Sequence, residues 1–174
     1  MKTRKGVEAS VREGYLIPAS AIKGALRHRT KYYYCRKKRI FSHVIEDGSV
    51  KTINTIDYGQ IDKDISELFG YRGGTRGNLI IPDIYIPKSI VEHKTMHHTA
   101  IDRLTGEKWE RAVHNEEVLY MKAGMTINLI MMVNESEIGP ILKNAFWQSV
   151  KDLEEGRLSL GRDGKNGMGF FEKN

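Results

Sequence analysis

Apolar residues at positions 22, 25, 26 and 33 recur at helical spacing, which predicts a helix over residues 21–34 with one face to bury. The stretch LIPASAIKGALRHRT leads into it. Pro18 ends a preceding strand, and the Ser20 hydroxyl is placed to cap the first turn by accepting an N–H that lacks an intrahelical partner. Lys23, Arg27 and Tyr34 fall on another face. A stronger stripe, made by Ile138, Ile141, Leu142, Ala145, Phe146, Val150 and Leu153, predicts a second helix over 137–155 that Gly156 stops. Strand patterns occupy 78–86, where Pro82 confines the strand to an edge or a bulge, and 125–133, MTINLIMMV. Residues 93–101 read as extended, and a short strand, LSL, precedes a glycine-rich loop.

Between these elements, residues 36–66 are polar, with a turn signal at Asp47-Gly48 and weak alternation on both sides, so they read as an insertion carrying a hairpin. Thr105-Gly106 marks a second turn, inside a thumb-like hairpin at about 93–122. The order helix, strands, helix, strand makes the chain an α+β protein of one domain, 1–174, whose first helix is expected to pack on a sheet. With a further strand ahead of the first helix it would be the split βαβ of a ferredoxin-like or RRM-like fold. Only MKTRK precedes the loop into that helix, so the first strand is expected to be missing or truncated. Gly24 lowers helix propensity by ~1 kcal/mol relative to alanine, a cost that close approach by another backbone would explain.

Charge adds a direction to this scaffold. The 174 residues carry a net +6, and the excess is local: residues 1–40 hold 12 Lys+Arg against 2 acids, and the remainder 16 against 20. A basic first quarter on a slightly acidic remainder suits a polyanion such as nucleic acid or anionic lipid; the plain alternative is a solvated basic face. No apolar run reaches the ~20 residues that would cross a bilayer. The single cysteine, Cys35, permits no internal disulfide and no cysteine-based zinc site, which suits a reducing cytoplasm.

Four segments in register resemble the RAMP superfamily of CRISPR-associated proteins, and most of all the repeating backbone subunit of type III effector complexes. They are IPASAIKGALR, matching a Pro-small-Ser-x-Lys-Gly-x-x-Arg helix start; LFG followed by GNLIIPD; HTAIDRLTGE; and the C-terminal loop LGRDGKNGMG. The resemblance implies a ferredoxin-like palm with a thumb hairpin, stacked with copies of itself and other effector subunits along a CRISPR RNA that pairs with a complementary target RNA. Position by position it implies that Ser20, Lys23 and Arg27 hold the guide backbone. It also places Gly161, Arg162, Gly164, Lys165, Gly167 and Gly169 in the loop beside the guide, and Asp102 and Arg103 at or near the thumb. Glycines without side chains let main-chain N–H groups reach phosphate oxygens, and Arg162 and Lys165 add charge there. A protruding basic and apolar hairpin suits the kinking of a nucleic acid.

Backbone subunits of this kind cut target RNA with an aspartate and a divalent metal such as Mg²⁺, and Glu8 stands where that aspartate is expected. The longer side chain displaces the carboxylate, and an error of ~1 Å can cost on the order of a hundredfold in rate. Glu13 is a nearby alternative acid. His93 and His97, with Glu92 beside them and His114 further on, suggest a metal site only on a helix; in an extended segment His93 and His97 stand more than ~12 Å apart. His28, between Arg27 and Arg29, resembles the histidine of repeat-processing RAMP endoribonucleases, the rival enzyme reading. A general RRM-like RNA-binding module is the other rival, although the strand at 125–133 carries no aromatic residue on which to stack bases.

Overall fold

The computed structural model describes residues 13–39, 43–46, 49–52, 58–71, 74, 76–98, 104–105, 114–161 and 164–173. Two compact units emerge, Ile17–Ile84 with Asn128–Asn174, and Met1–Leu16 with Tyr85–Ile127. No described helix is long and apolar enough to cross a membrane.

The larger unit is built on three helices. Helix α1 runs Ala19–Lys37, beyond the predicted helix at both ends. Its N-cap is Pro18, in extended conformation, and the exposed Ser20 lies inside the first turn without making the expected cap bond. The cap comes from elsewhere in the chain: the Ala19 N–H donates to Asp83 Oδ1 at 2.7 Å. A carboxylate at the positive end of the helix dipole supplies charge that a hydroxyl lacks. At the other end, the basic residues Arg36 and Lys37 occupy the last turn, where the dipole favours cations.

Ile22, Leu26, Thr30, Tyr34 and Cys35 form the buried face of α1. Tyr34 therefore joins the core rather than the basic face, while Ala25 and Tyr33 are only half-buried. The face packs on two helices, α2 (Tyr58–Phe69) and α3 (Pro140–Glu154), rather than on a sheet. Helix α2 occupies the end of the 36–66 stretch, where the sequence reading placed no helix. Ile61, Ile65, Leu68 and Phe69, all buried, repeat at helical spacing inside a segment whose charge masked the pattern. Among the described residues the hairpin is formed by β2 (His43–Glu46) and β3 (Ser49–Thr52), antiparallel with His43 opposite Thr52.

Helix α3 begins with Pro140 at its first position, where the missing N–H costs nothing. It ends at Gly156, whose φ of 66° places it in the left-handed region. Phe146, 1% exposed, packs edge-on against Phe69 with ring centroids 6.1 Å apart. Leu142, Ala145, Val150 and Leu153 extend this core as the sequence pattern requires, whereas Ile141 faces outward.

The strands are shorter than their patterns. The stretch 78–86 splits at Pro82 into β4 (Leu79–Ile80) and β5 (Ile84–Pro87). Of residues 125–133, only β8 (Met132–Val133) joins a ladder, antiparallel to β4. The period-two pattern survives in burial, with 127, 129, 131 and 133 half-buried and 126, 128, 130 and 132 exposed. Alternation sets which way side chains point, but a strand also needs a hydrogen-bonding neighbour. LSL likewise forms no strand; an isolated bridge joins Glu155 to Glu172 instead.

In the smaller unit, β1 (Gly14–Ile17) pairs with β5, so a short strand does stand ahead of α1. Strands β6 (Val91–His98) and β7 (His114–Met121) form an eight-pair antiparallel ladder, from Val91 opposite Met121 to His98 opposite His114. Residues 93–98 are thus extended as expected, and 99–101 lie outside the described residues. Leu104 and Thr105 form a turn. Among the described residues the eight strands make four two-stranded sheets, which with the helices give an α+β architecture.

Candidate nucleic-acid interface

The cations of α1 divide by what they touch. Arg27 donates from one guanidinium nitrogen to the Gly70 carbonyl at 3.0 Å and from the other to Ser66 Oγ at 3.2 Å, bracing the C-terminal end of α2. Arg29 pairs through Nε with Asp152 at 2.7 Å, and Lys31 pairs with Asp62 at 2.6 Å. Lys23, half-exposed, has no ion pair among the described residues. Lys23 and Arg27 therefore stand one turn apart as the sequence reading requires, but Arg27 is already engaged by its own chain. At the exposed Gly24 between them, a Cβ would meet nothing within 4 Å, so no described backbone accounts for this glycine.

Asp152 is the buried charge of this region, and sequence reading missed it. Its side chain is 1% exposed and accepts from the Tyr33 hydroxyl at 2.7 Å and from Arg157 at 3.0 and 3.2 Å. Burial works to raise its pKa, but the hydrogen bonds from Tyr33 and Arg157 and the charges of Arg29 and Arg157 outweigh it, and the net shift is downward. The same hydrogen bond raises the pKa of Tyr33. Arg29 also donates to the Arg157 carbonyl at 3.0 Å. One carboxylate thus ties the basic helix to the segment that opens the glycine-rich loop. A lone aspartate in an apolar helical stripe, three residues after Ser149, was the available signal.

The loop glycines serve two purposes. A Cβ on Gly169 would fall on the Leu160 carbonyl, whose own N–H donates back to the Gly169 oxygen at 2.8 Å, and a Cβ on Gly164 would fall on the Ser159 side chain. Those two glycines let the loop close on itself. Gly161 and Gly167, at φ of 99° and 79°, instead face open space with nothing within 4 Å. Lys165 is exposed on a one-turn 3-10 helix, Gly164–Asn166, between them. Arg162 lies outside the described residues.

The LFG and GNL segments meet through backbone. Gly70 has a φ of 81°, and a Cβ on Gly77 would collide with the Gly70 nitrogen and the Leu68 carbonyl. The spacing of those glycines thus records a close main-chain crossing at the end of α2.

In the smaller unit, Glu13 pairs with Lys88 at 3.0 Å. His93 and His97 both lie on β6, each bonded across the ladder, His93 to Glu117 at 2.5 Å and His97 to Asn115 at 2.7 Å. The other ring nitrogen of His93 meets the Tyr15 hydroxyl. Leu104 at the turn is 97% exposed. Glu8, Asp102 and Arg103 lie outside the described residues, as does the side chain of His114. Among the described residues no group of three His, Cys, Asp or Glu side chains converges to hold a metal ion.

Comparison with known proteins supplies the family. No curated protein matches the sequence. Among solved structures, a cryo-EM structure of the type III-B Cmr-beta bound to cognate target RNA is similar at 18% identity and a TM-score of 0.45, over 92% of this chain and 45% of that one. The chain thus spans less than half the length of that relative. The RAMP superfamily model matches residues 7–172, and it does so across both units and all four motif segments. The chain belongs to the RAMP superfamily.

Proposed function

We propose that this chain is a CRISPR RNA-binding backbone subunit of a type III interference complex, built with a ferredoxin-like palm and working beside copies of itself and other effector subunits. The observation that carries this reading is the C-terminal loop, where Gly161 and Gly167 leave main chain open to solvent on either side of the exposed Lys165. Exposed main chain without side chains lets a phosphate approach next to a cation, and loop closure by Gly164 and Gly169, with the Gly167 N–H donating to the Gly164 carbonyl at 3.2 Å, holds that surface in place before any ligand arrives. Lys23 beside the bare surface of Gly24 supplies a second phosphate contact, with Arg27 bracing the helix behind it. The thumb-like hairpin, with Leu104 exposed at its turn, then acts as an apolar wedge between bases of the guide-target duplex.

Glu8 is the residue we propose for cleavage of the target, acting with a divalent metal such as Mg²⁺. Co-expression with the native operon, extraction of bound RNA and presentation of a complementary target with and without Mg²⁺ test both parts. A guide of discrete length, with target cut at regular intervals until Glu8→Ala stops it, is the expected result. A guide with an intact target makes the subunit a scaffold, and no bound RNA overturns the reading.

A further inference from the structure

Tyr15, His93 and Glu117 form a continuous hydrogen-bonded chain on the exposed face of the β6–β7 ladder. The Tyr15 and His93 rings lie 5.5 Å apart. Glu117 accepts at Nδ1 of His93, and an ionised carboxylate can only accept, so that nitrogen carries the ring proton. In the neutral ring Nε2 is then an acceptor, and the Tyr15 hydroxyl spends its one proton on it. What remains on the phenol oxygen is lone pairs, which repel a phosphate. When the ring takes a second proton, Nε2 becomes a donor to the phenol oxygen and the Tyr15 O–H is released to point outward.

We infer that Tyr15, His93 and Glu117 are a proton-operated contact for a phosphodiester, in which protonation of His93 turns the Tyr15 hydroxyl from an acceptor into a donor. The ligand class rests on the RNA-binding reading above. Charge acts in the same direction. With the ring neutral, the trio carries the single negative charge of Glu117; with the ring protonated it is neutral overall. Among the described residues the surrounding charges do not offset this change. On β6, Glu92 and Lys94 point to the opposite face, where Lys94 lies over the Tyr120 ring at 4.7 Å. Glu116 of β7 shares that opposite face, and Glu13, beside β1, is paired with Lys88. His97 and Asn115, the next cross-strand pair on the same face, lack a third member and a carboxylate.

The test is the affinity of the purified chain for a single-stranded RNA carrying a rhodamine label, read by fluorescence anisotropy at constant ionic strength between about pH 7.5 and 5.5, where histidine changes charge. One linked proton is worth at most about tenfold in Kd per pH unit. We expect wild-type Kd to fall on acidification by about threefold or more beyond any fall in Tyr15→Phe and His93→Gln. Circular dichroism checks that each variant folds, and Tyr15→Phe carries the test alone if His93→Gln does not. Equal pH dependence in all three proteins overturns the inference. So does a loss confined to His93→Gln, because charge alone would then suffice and the hydroxyl would be idle. Absence of RNA binding at every pH is a different failure, since it removes the functional reading first.

Discussion

Asp152 shows how much one side chain can decide. With both its oxygens committed to Tyr33, Arg29 and Arg157, Asp152→Ala removes the buried acceptor that these three part-exposed donors share, a loss of about 1–3 kcal/mol. Urea denaturation should read that loss as a lower midpoint with an unchanged slope. Because folding lowers this pKa, the stabilisation is present above the unfolded value and lost as pH falls through the folded one. Wild-type stability should therefore fall more steeply than that of Asp152→Asn as pH drops below about 4; parallel curves would assign the acid loss to other groups. Two glycines give a contrasting pair. Gly77→Ala should destabilise strongly, because its Cβ meets main chain, whereas Gly24→Ala should stabilise by up to ~1 kcal/mol, since its Cβ meets nothing and improves helix propensity. If RNA passes over Gly24 as proposed, the same Gly24→Ala protein melts higher and binds RNA more weakly. A variant that melts higher and binds equally well places the RNA elsewhere.

Among the elements, the loop after α3 separates structural from functional glycines. Gly169→Ala should lower stability and perturb the loop, because Leu160 occupies the space, while Gly167→Ala should cost only the ~1 kcal/mol of a left-handed alanine. RNA affinity should drop in both, and a Gly167→Ala protein with unchanged affinity would argue against close approach of a phosphate to the bare main chain there. Comparative thermal melts and RNA titrations on the two proteins decide it. The helices were legible to different degrees for a physical reason. Helix α3 announces itself because its apolar stripe is uninterrupted, whereas α2 alternates its four core residues with Asp62, Lys63, Asp64 and Glu67, which dilute the signal. The strand pattern at 125–133 outruns its ladder because alternation reports side-chain direction and carries no information about the neighbouring chain.

For the whole molecule, the positive first quarter narrows on folding. Among the described residues, Arg27, Arg29 and Lys31 are committed to Gly70, Asp152 and Asp62, which leaves Lys23, the C-terminal end of α1 and Lys165 as cations outside ion pairs. RNA affinity should fall linearly with log salt, and Lys23→Ala with Lys165→Ala should together reduce the slope by about 1.4, at ~0.7 per phosphate contact on a single strand. An unchanged slope would remove both residues from the interface. The sequence by itself determined the family, through four motifs in register, along with the two outer helices, the loop glycines and the local excess of charge, because each of these is a property of neighbours in the chain. Tertiary structure alone decided that α1 packs on helices, that Asp83 rather than Ser20 caps it, that Asp152 holds its arginines, and that Tyr15, His93 and Glu117 meet. Apart from Arg157, five positions from Asp152, those contacts join residues two dozen or more positions apart, and only the folded backbone sets the distances between them.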